Sequence, residues 1–162
     1  MDDWDGFYTL AGSTAGTLIG LIFVVITLGI EHTKEGDEHR MRLFITPVLV
    51  YFTSLLVIAM AMVPPLSASA RAIALGAIGS AGLAYVMNVW LLSRRTVKFE
   101  GQRIIWHVAV PLVSYMLITA SAAAWALQAP FANSLCAVGV TILLVTALRN
   151  TWMATLGIAK RQ

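Results

Sequence analysis

Charged residues divide this chain into long apolar runs instead of being scattered along it. No Asp, Glu, Lys or Arg occurs in residues 8–30, 43–63, 72–92, 104–127 or 131–148. At about 1.5 Å per helical residue, runs of this length match a hydrocarbon core of roughly 30 Å. The pattern predicts an all-α polytopic membrane protein with five transmembrane helices over those ranges, residues 1–162 forming a single transmembrane domain. Pro64-Pro65 ends the second run, because proline cannot continue a helix, and Arg149 and Asn150 mark the return of the fifth to the interface. The opening Met1-Asp2-Asp3-Trp4-Asp5 is acidic where a secretory signal is basic, so the first helix is expected to be retained.

Charge sets the orientation. Lys34, Arg40, Arg42, Arg94, Arg95, Lys98, Arg103, Lys160 and Arg161 all fall on one side of the five spans, and Arg71 alone falls on the other. Positively charged loops resist translocation, which puts the N-terminus outside and the C-terminus in the cytoplasm. The net charge of +3 and pI near 9.4 are thereby explained by topology. No nucleic-acid-binding module is recognisable. With 59% hydrophobic and 12% charged residues and a mean hydropathy of +0.80, the composition excludes a soluble globular fold. Trp4, Trp90, Trp106 and Trp152 lie near span boundaries, where an indole buries its ring and keeps its N–H near headgroups. Cys136 has no partner for a disulfide or a thiolate metal site.

The later hairpins share an order of scarce residues. Pro47-x3-Tyr51, Pro64-Pro65 and Asn88-x-Trp90 are followed by Pro111-x3-Tyr115, Pro130 and Asn150-x-Trp152. Both copies would start and end on the cytoplasmic side, a parallel repeat. The architecture is then one leading helix plus two similar helical hairpins.

Helix faces supply the candidate chemistry. Gly12, Gly16 and Gly20, with Thr9, Ser13 and Thr27, form a small-residue stripe on the first helix, suited to close helix packing within the chain or against a neighbour. Ala70, Ala74, Ala77, Ala81 and Ala84 suggest a second packed face on the third. On the fourth, His107, Ser114, Ser121 and Gln128 recur every seven residues, giving one side that is polar from end to end. Such a line borders a pore or cavity, or is satisfied by packing and by bonds to its own helix.

No Asp or Glu lies inside a predicted span, which argues against ion coupling through intramembrane carboxylates. His32, Glu35 and His39 are the weak candidates for a metal, in a connector that also reads as a hydrated charged loop. No nucleophile elbow, phosphate-cradling loop or other catalytic constellation appears, and no cofactor is expected.

Asp3, Trp4, Phe7, Gly12, Ala15, Gly20, Leu21, Phe23 and Val24 lie in a segment, residues 3–28, that resembles the start of small bacterial multi-pass inner-membrane proteins. Some of those proteins are named modulators of a membrane AAA protease. The resemblance implies a bacterial inner membrane and transfers no catalytic residues. In size and helix number the chain is also similar to the tryptophan-rich sensory protein family, from which it departs by lacking the Trp- and Pro-rich first loop. The expected function is non-enzymatic: a homo-oligomer in the lipid bilayer, with an ion or small-solute path along the polar hydroxyls. The alternatives are an accessory or modulator subunit bound to another membrane protein, and a binder of lipid or a small apolar ligand between the hairpins.

Overall fold

A computed structural model describes residues 4–30, 38–96 and 105–159, all helices and tight turns. The helices are α1 (Asp5–Ile30), α2 (Glu38–Met62), α3 (Ala68–Thr96), α4 (Val110–Ala126) and α5 (Ala132–Ala159). A π-helical turn, Ile105–Ala109, leads into α4. Proline at position 111 has no N–H to return to the preceding turn, and its ring crowds the carbonyl there, so the turn before it widens. The single helix expected over 104–127 is therefore a π turn and a shorter α-helix. Pro47, by contrast, sits inside α2.

Two boundaries differ from expectation in ways that matter. Helix α3 begins at Ala68, capped by Ser67, whose Oγ accepts a bond from the Ala70 N–H at 3.3 Å. Arg71 is thus on the first turn of a helix and not in a loop. Helix α5 continues to Ala159, beyond Arg149 and Asn150. The Arg149 guanidinium lies 4.2 Å from the ring centroid of Trp106, so this cation is accommodated on a helical turn without ending it.

Helices α2, α3, α4 and α5 form a ring in which each touches the next and α5 closes on α2. The backbones of α2 and α4 face each other across the diagonal without close approach. Helix α1 stands outside the ring against α2 and α5, and touches neither α3 nor α4 among the described residues. The interior is closed by large side chains including Tyr51, Phe52, Leu55, Tyr115 and Ile118. Large apolar side chains also cover much of the outside, among them Leu10, Phe23, Met60, Ile73 and Leu92. Asp5–Val24, Ala68–Leu92 and Ala132–Met153 are long and apolar enough to cross a membrane, while Thr46–Met62 and Val110–Ala126 are shorter apolar stretches.

The tightest packing is between α3 and α4, and it is built on glycine. A Cβ on Gly79 would collide with Thr119, reaching its backbone nitrogen and Cα at 3.1 and 3.2 Å, and a Cβ on Gly82 would enter the Tyr115 ring. Gly76 faces Ala122 at an ordinary 3.7 Å. On the far side of α4, a Cβ on Gly139 would press on Ile118, Leu117 and the Ser114 carbonyl at 3.1 to 3.2 Å. The alanine face expected to pack on α3 is mostly outward: Ala77, Ala81, Ala84 and Asn88 are exposed. Glycine wins because the absence of Cβ brings two backbones closer, and dispersion falls off steeply with distance.

Substitution should separate these positions. Gly79→Ala and Gly82→Ala are each expected to destabilise by about 1–3 kcal/mol, as overpacking of a filled interior does. Gly76→Ala should be neutral or stabilising by about 0.5 kcal/mol, since alanine is the better helix former. Thermal unfolding of the purified protein in mild detergent reads all three.

Candidate functional site

The polar line on α4 faces inward. Ser114 and Ser121 are completely buried. Their hydroxyls donate to carbonyls of their own helix, Ser114 Oγ to Val110 at 3.1 Å and Ser121 Oγ to Ile118 at 2.7 Å. A hydroxyl bonded this way can be buried without a partner helix or water. His107 lies on the π turn, and its side chain is outside the described residues. Gln128 does not continue the line, because α4 ends at Ala126 and Gln128 is exposed in the following turn.

That turn has a definite chemistry. Gln128 adopts φ 53°, the left-handed region. Its N–H bonds the Trp125 carbonyl at 3.1 Å, and the Ala129 N–H bonds the Ala124 carbonyl at 2.9 Å. This pair of bonds is the Schellman closure of a helix, with glutamine at the position glycine usually fills. A Cβ there costs about 1 kcal/mol, and the left-handed turn carries Gln128 off the helix, so the seven-residue polar line expected from the sequence stops at Ser121.

Near the bundle centre a second polar contact crosses the diagonal. Ser54 Oγ donates to the Val50 carbonyl at 2.9 Å and lies 2.9 Å from the Tyr115 hydroxyl. With the serine proton committed to Val50, the Tyr115 O–H donates to Ser54. The Tyr115 ring is also 6.3 Å from that of Tyr51. The two tyrosines aligned by the sequence repeat therefore meet inside the bundle. Their later counterparts diverge: Asn88 is exposed and bonds the Ala84 carbonyl at 2.9 Å, whereas Asn150 is buried with Oδ1 unpartnered.

The α1 stripe splits in two. Gly12 packs into the chain, where an added Cβ would lie 2.6 Å from Ala59 Cβ. Gly16 and Gly20 have nothing within 4 Å. They share the open side with Ser13, Thr17 and Thr27, whose hydroxyls bond carbonyls of α1 itself. His32 and Glu35 lie outside the described residues, as does the side chain of His39. Among the described residues no group of three or more metal-ligating side chains forms.

A cleft that the sequence does not announce lies where the α2–α3 and α4–α5 turns come together. Ser67, Ser69, Ile73, Trp125 and Gln128 help line a space of about 430 Å³. An adjoining recess of about 240 Å³ shares Trp125 and Gln128 and reaches Pro130 and Asn133. Arg71 stacks on Trp125, its guanidinium carbon 4.9 Å from the ring centroid, and its Nη2 donates to the Pro64 carbonyl at 3.1 Å. Helix α1 reaches the same end, with the Tyr8 hydroxyl donating to the Asn133 carbonyl at 3.1 Å. The available signal was Arg71 itself, the one basic residue on its side of the charge count. Compared with protein-family models, curated proteins and solved structures, the chain matches none.

Because Gln128 carries a side chain in a glycine conformation, Gln128→Gly should stabilise the protein by about 0.5–1 kcal/mol. The measurement is the midpoint of thermal unfolding in detergent, compared with Gln128→Ala, which retains the Cβ and should give no such gain.

Proposed function

We propose that this chain is a non-enzymatic integral protein of a bacterial inner membrane, with five spans and an outside N-terminus, and that it works by assembling with further copies of itself through α1. The observation that carries the assembly is the divided glycine stripe. Gly12 is used against Ala59, while Gly16 and Gly20 present bare backbone on the outward side of a helix that stands apart from the ring. Close helix approach in lipid draws on such bare backbone. Gly20, Leu21, Phe23 and Val24, which carry part of the N-terminal resemblance, are exposed on the same helix. The five-span topology rests on the charge asymmetry and on the apolar stretches of α2 and α4 flanking the three longer ones. A solute path along α4 within one chain gains no support from Ser114 and Ser121, whose hydroxyls are enclosed and already bonded.

Native mass spectrometry of protein extracted gently from its membrane should show a homo-oligomer. Gly16→Leu combined with Gly20→Leu should return it to monomer with an unchanged unfolding midpoint. A monomeric wild type overturns the assembly, and a stoichiometric foreign subunit on the same face turns the reading toward an accessory protein. Orientation is read separately after Cys136→Ser: Gln128→Cys should react with a membrane-impermeant maleimide on intact cells, and Lys98→Cys should react only after permeabilisation.

A further inference from the structure

The ring of helices is not equally tight at every seam. On the side of α3 turned to α4, Gly79, Gly82 and Val86 are buried. Along the α2–α3 seam the residues stay half-buried: Pro47, Val50 and Ser54 repeat on one face of α2, and Ile78, Tyr85 and Val89 on one face of α3. The Tyr115 ring crosses this seam, filling the space beside Gly82 and bonding Ser54. One helical turn farther from the hairpin turns lie Tyr51, three residues before Ser54, and Tyr85, three after Gly82. Tyr85 is close enough to act electrostatically on both Tyr51 and Tyr115.

Ser54 and Tyr115 satisfy each other, but the Tyr51 and Tyr85 hydroxyls bond no described residue, although Tyr51 is only 2% exposed. Among the described residues, the side-chain nitrogens and oxygens that lack both a partner and accessible surface belong to Arg71, Trp125 and Asn150. The two phenols are therefore unpaired without being sealed, and an atom the size of a water oxygen can touch them. Their depth narrows what that atom belongs to. Tyr51 lies eleven residues before the end of α2 at Met62, and Tyr85 seventeen after the start of α3 at Ala68. Helical side chains lean toward their own N-terminus, so these antiparallel helices bring the phenols together, roughly 20 Å from the hairpin-turn end of a core about 30 Å thick. Headgroups and ester carbonyls lie at the edges of that core, and an unpaired hydroxyl inside it is costly. No charged residue occurs in 43–63 or 72–92, so nothing on either helix at this depth would hold an ion. A neutral molecule that dissolves in hydrocarbon and carries an exposed oxygen acceptor meets these terms. A quinone ring does so with carbonyl oxygens and flat faces for the Tyr51 and Tyr115 rings, 6.3 Å apart.

We propose that the α2–α3 seam binds the ring of a membrane-dissolved quinone, with the Tyr51 and Tyr85 hydroxyls donating to a ring carbonyl and the isoprenoid tail lying in lipid outside the seam. The proposal depends on the membrane reading above, and not on orientation or on assembly through α1. A phospholipid is disfavoured because its acceptors stay near the edges of the core, and a fatty acid because the seam offers no cation for its carboxylate.

The test uses the whole protein in mild detergent, with ubiquinone added at rising mole fraction in the micelles, followed by size exclusion and extraction of the quinone that travels with the chain. Empty micelles on the same column set the background. Wild type should saturate at about one quinone per chain above it. Tyr51→Phe and Tyr85→Phe keep the rings and each remove one donor, so each should raise the half-saturating mole fraction about threefold, the worth of one hydrogen bond. The double variant should raise it about tenfold with an unchanged unfolding midpoint. Should the double variant unfold, Tyr85→Phe decides alone, since its ring is only half-buried. Wild-type loading no greater than that of empty micelles, or half-saturation unchanged in the Phe variants, overturns the proposal. Displacement of the quinone by dioleoylglycerol, whose carbonyls are esters, overturns the quinone assignment in favour of an ester lipid. A chain that stays in solution after detergent is removed refutes the membrane reading, which is distinguishable from one that needs detergent and binds no quinone.

Discussion

Helix α3 can lie as close to α4 as it does because Gly79 and Gly82 have no Cβ, and the remaining packing is arranged around that approach. The Tyr115 ring occupies the room Gly82 leaves, and its hydroxyl reaches Ser54 on the opposite helix α2. Gly139 lets α5 press on the far side of α4, against Ile118 and the Ser114 backbone. With many large apolar side chains already on the outside, burial of apolar area discriminates weakly between helix faces. Close backbone contact and a few interior hydrogen bonds then select the face.

The two arginines that stand apart from the nine-residue basic side meet similar fates. Arg149 stacks on Trp106 and Arg71 on Trp125. A guanidinium is planar and weakly hydrated, so an indole face supports it where a lysine ammonium would call for water. Each contact ties two segments: α5 to the π turn in one case, and α3 to the C-terminal end of α4 in the other. At the Arg71 end the arrangement leaves donors without acceptors, and a cleft forms beside them.

Much of the fold could be read from the chain. The apolar runs mark all five helices, and the Pro64-Pro65 stop agrees with the end of α2 at Met62. Errors occurred where a local rule has an exception. Gln128 holds a glycine conformation just past the end of α4, so it leaves the polar line that its seven-residue spacing suggests; Arg149 and Asn150 look like an exit but ride on a continuing helix. On α3 the alanines were regular enough to suggest a packed face, yet the shorter series Gly76, Gly79 and Gly82 is the one in contact.

The sequence by itself determined helix number and approximate extent, the distribution of charge and the small-residue stripe of α1, because these follow from residue type and from a period of 3.6 along a single helix. Only the tertiary structure decided which face of each helix is inside, that Tyr51 and Tyr115 meet, that Gly12 is used and Gly16 and Gly20 are free, and that Arg71, Trp125 and Gln128 gather at one end. Those outcomes depend on contacts between segments far apart in the chain. Residues 71 and 125 belong to different hairpins, and no local periodicity records that their side chains will stack.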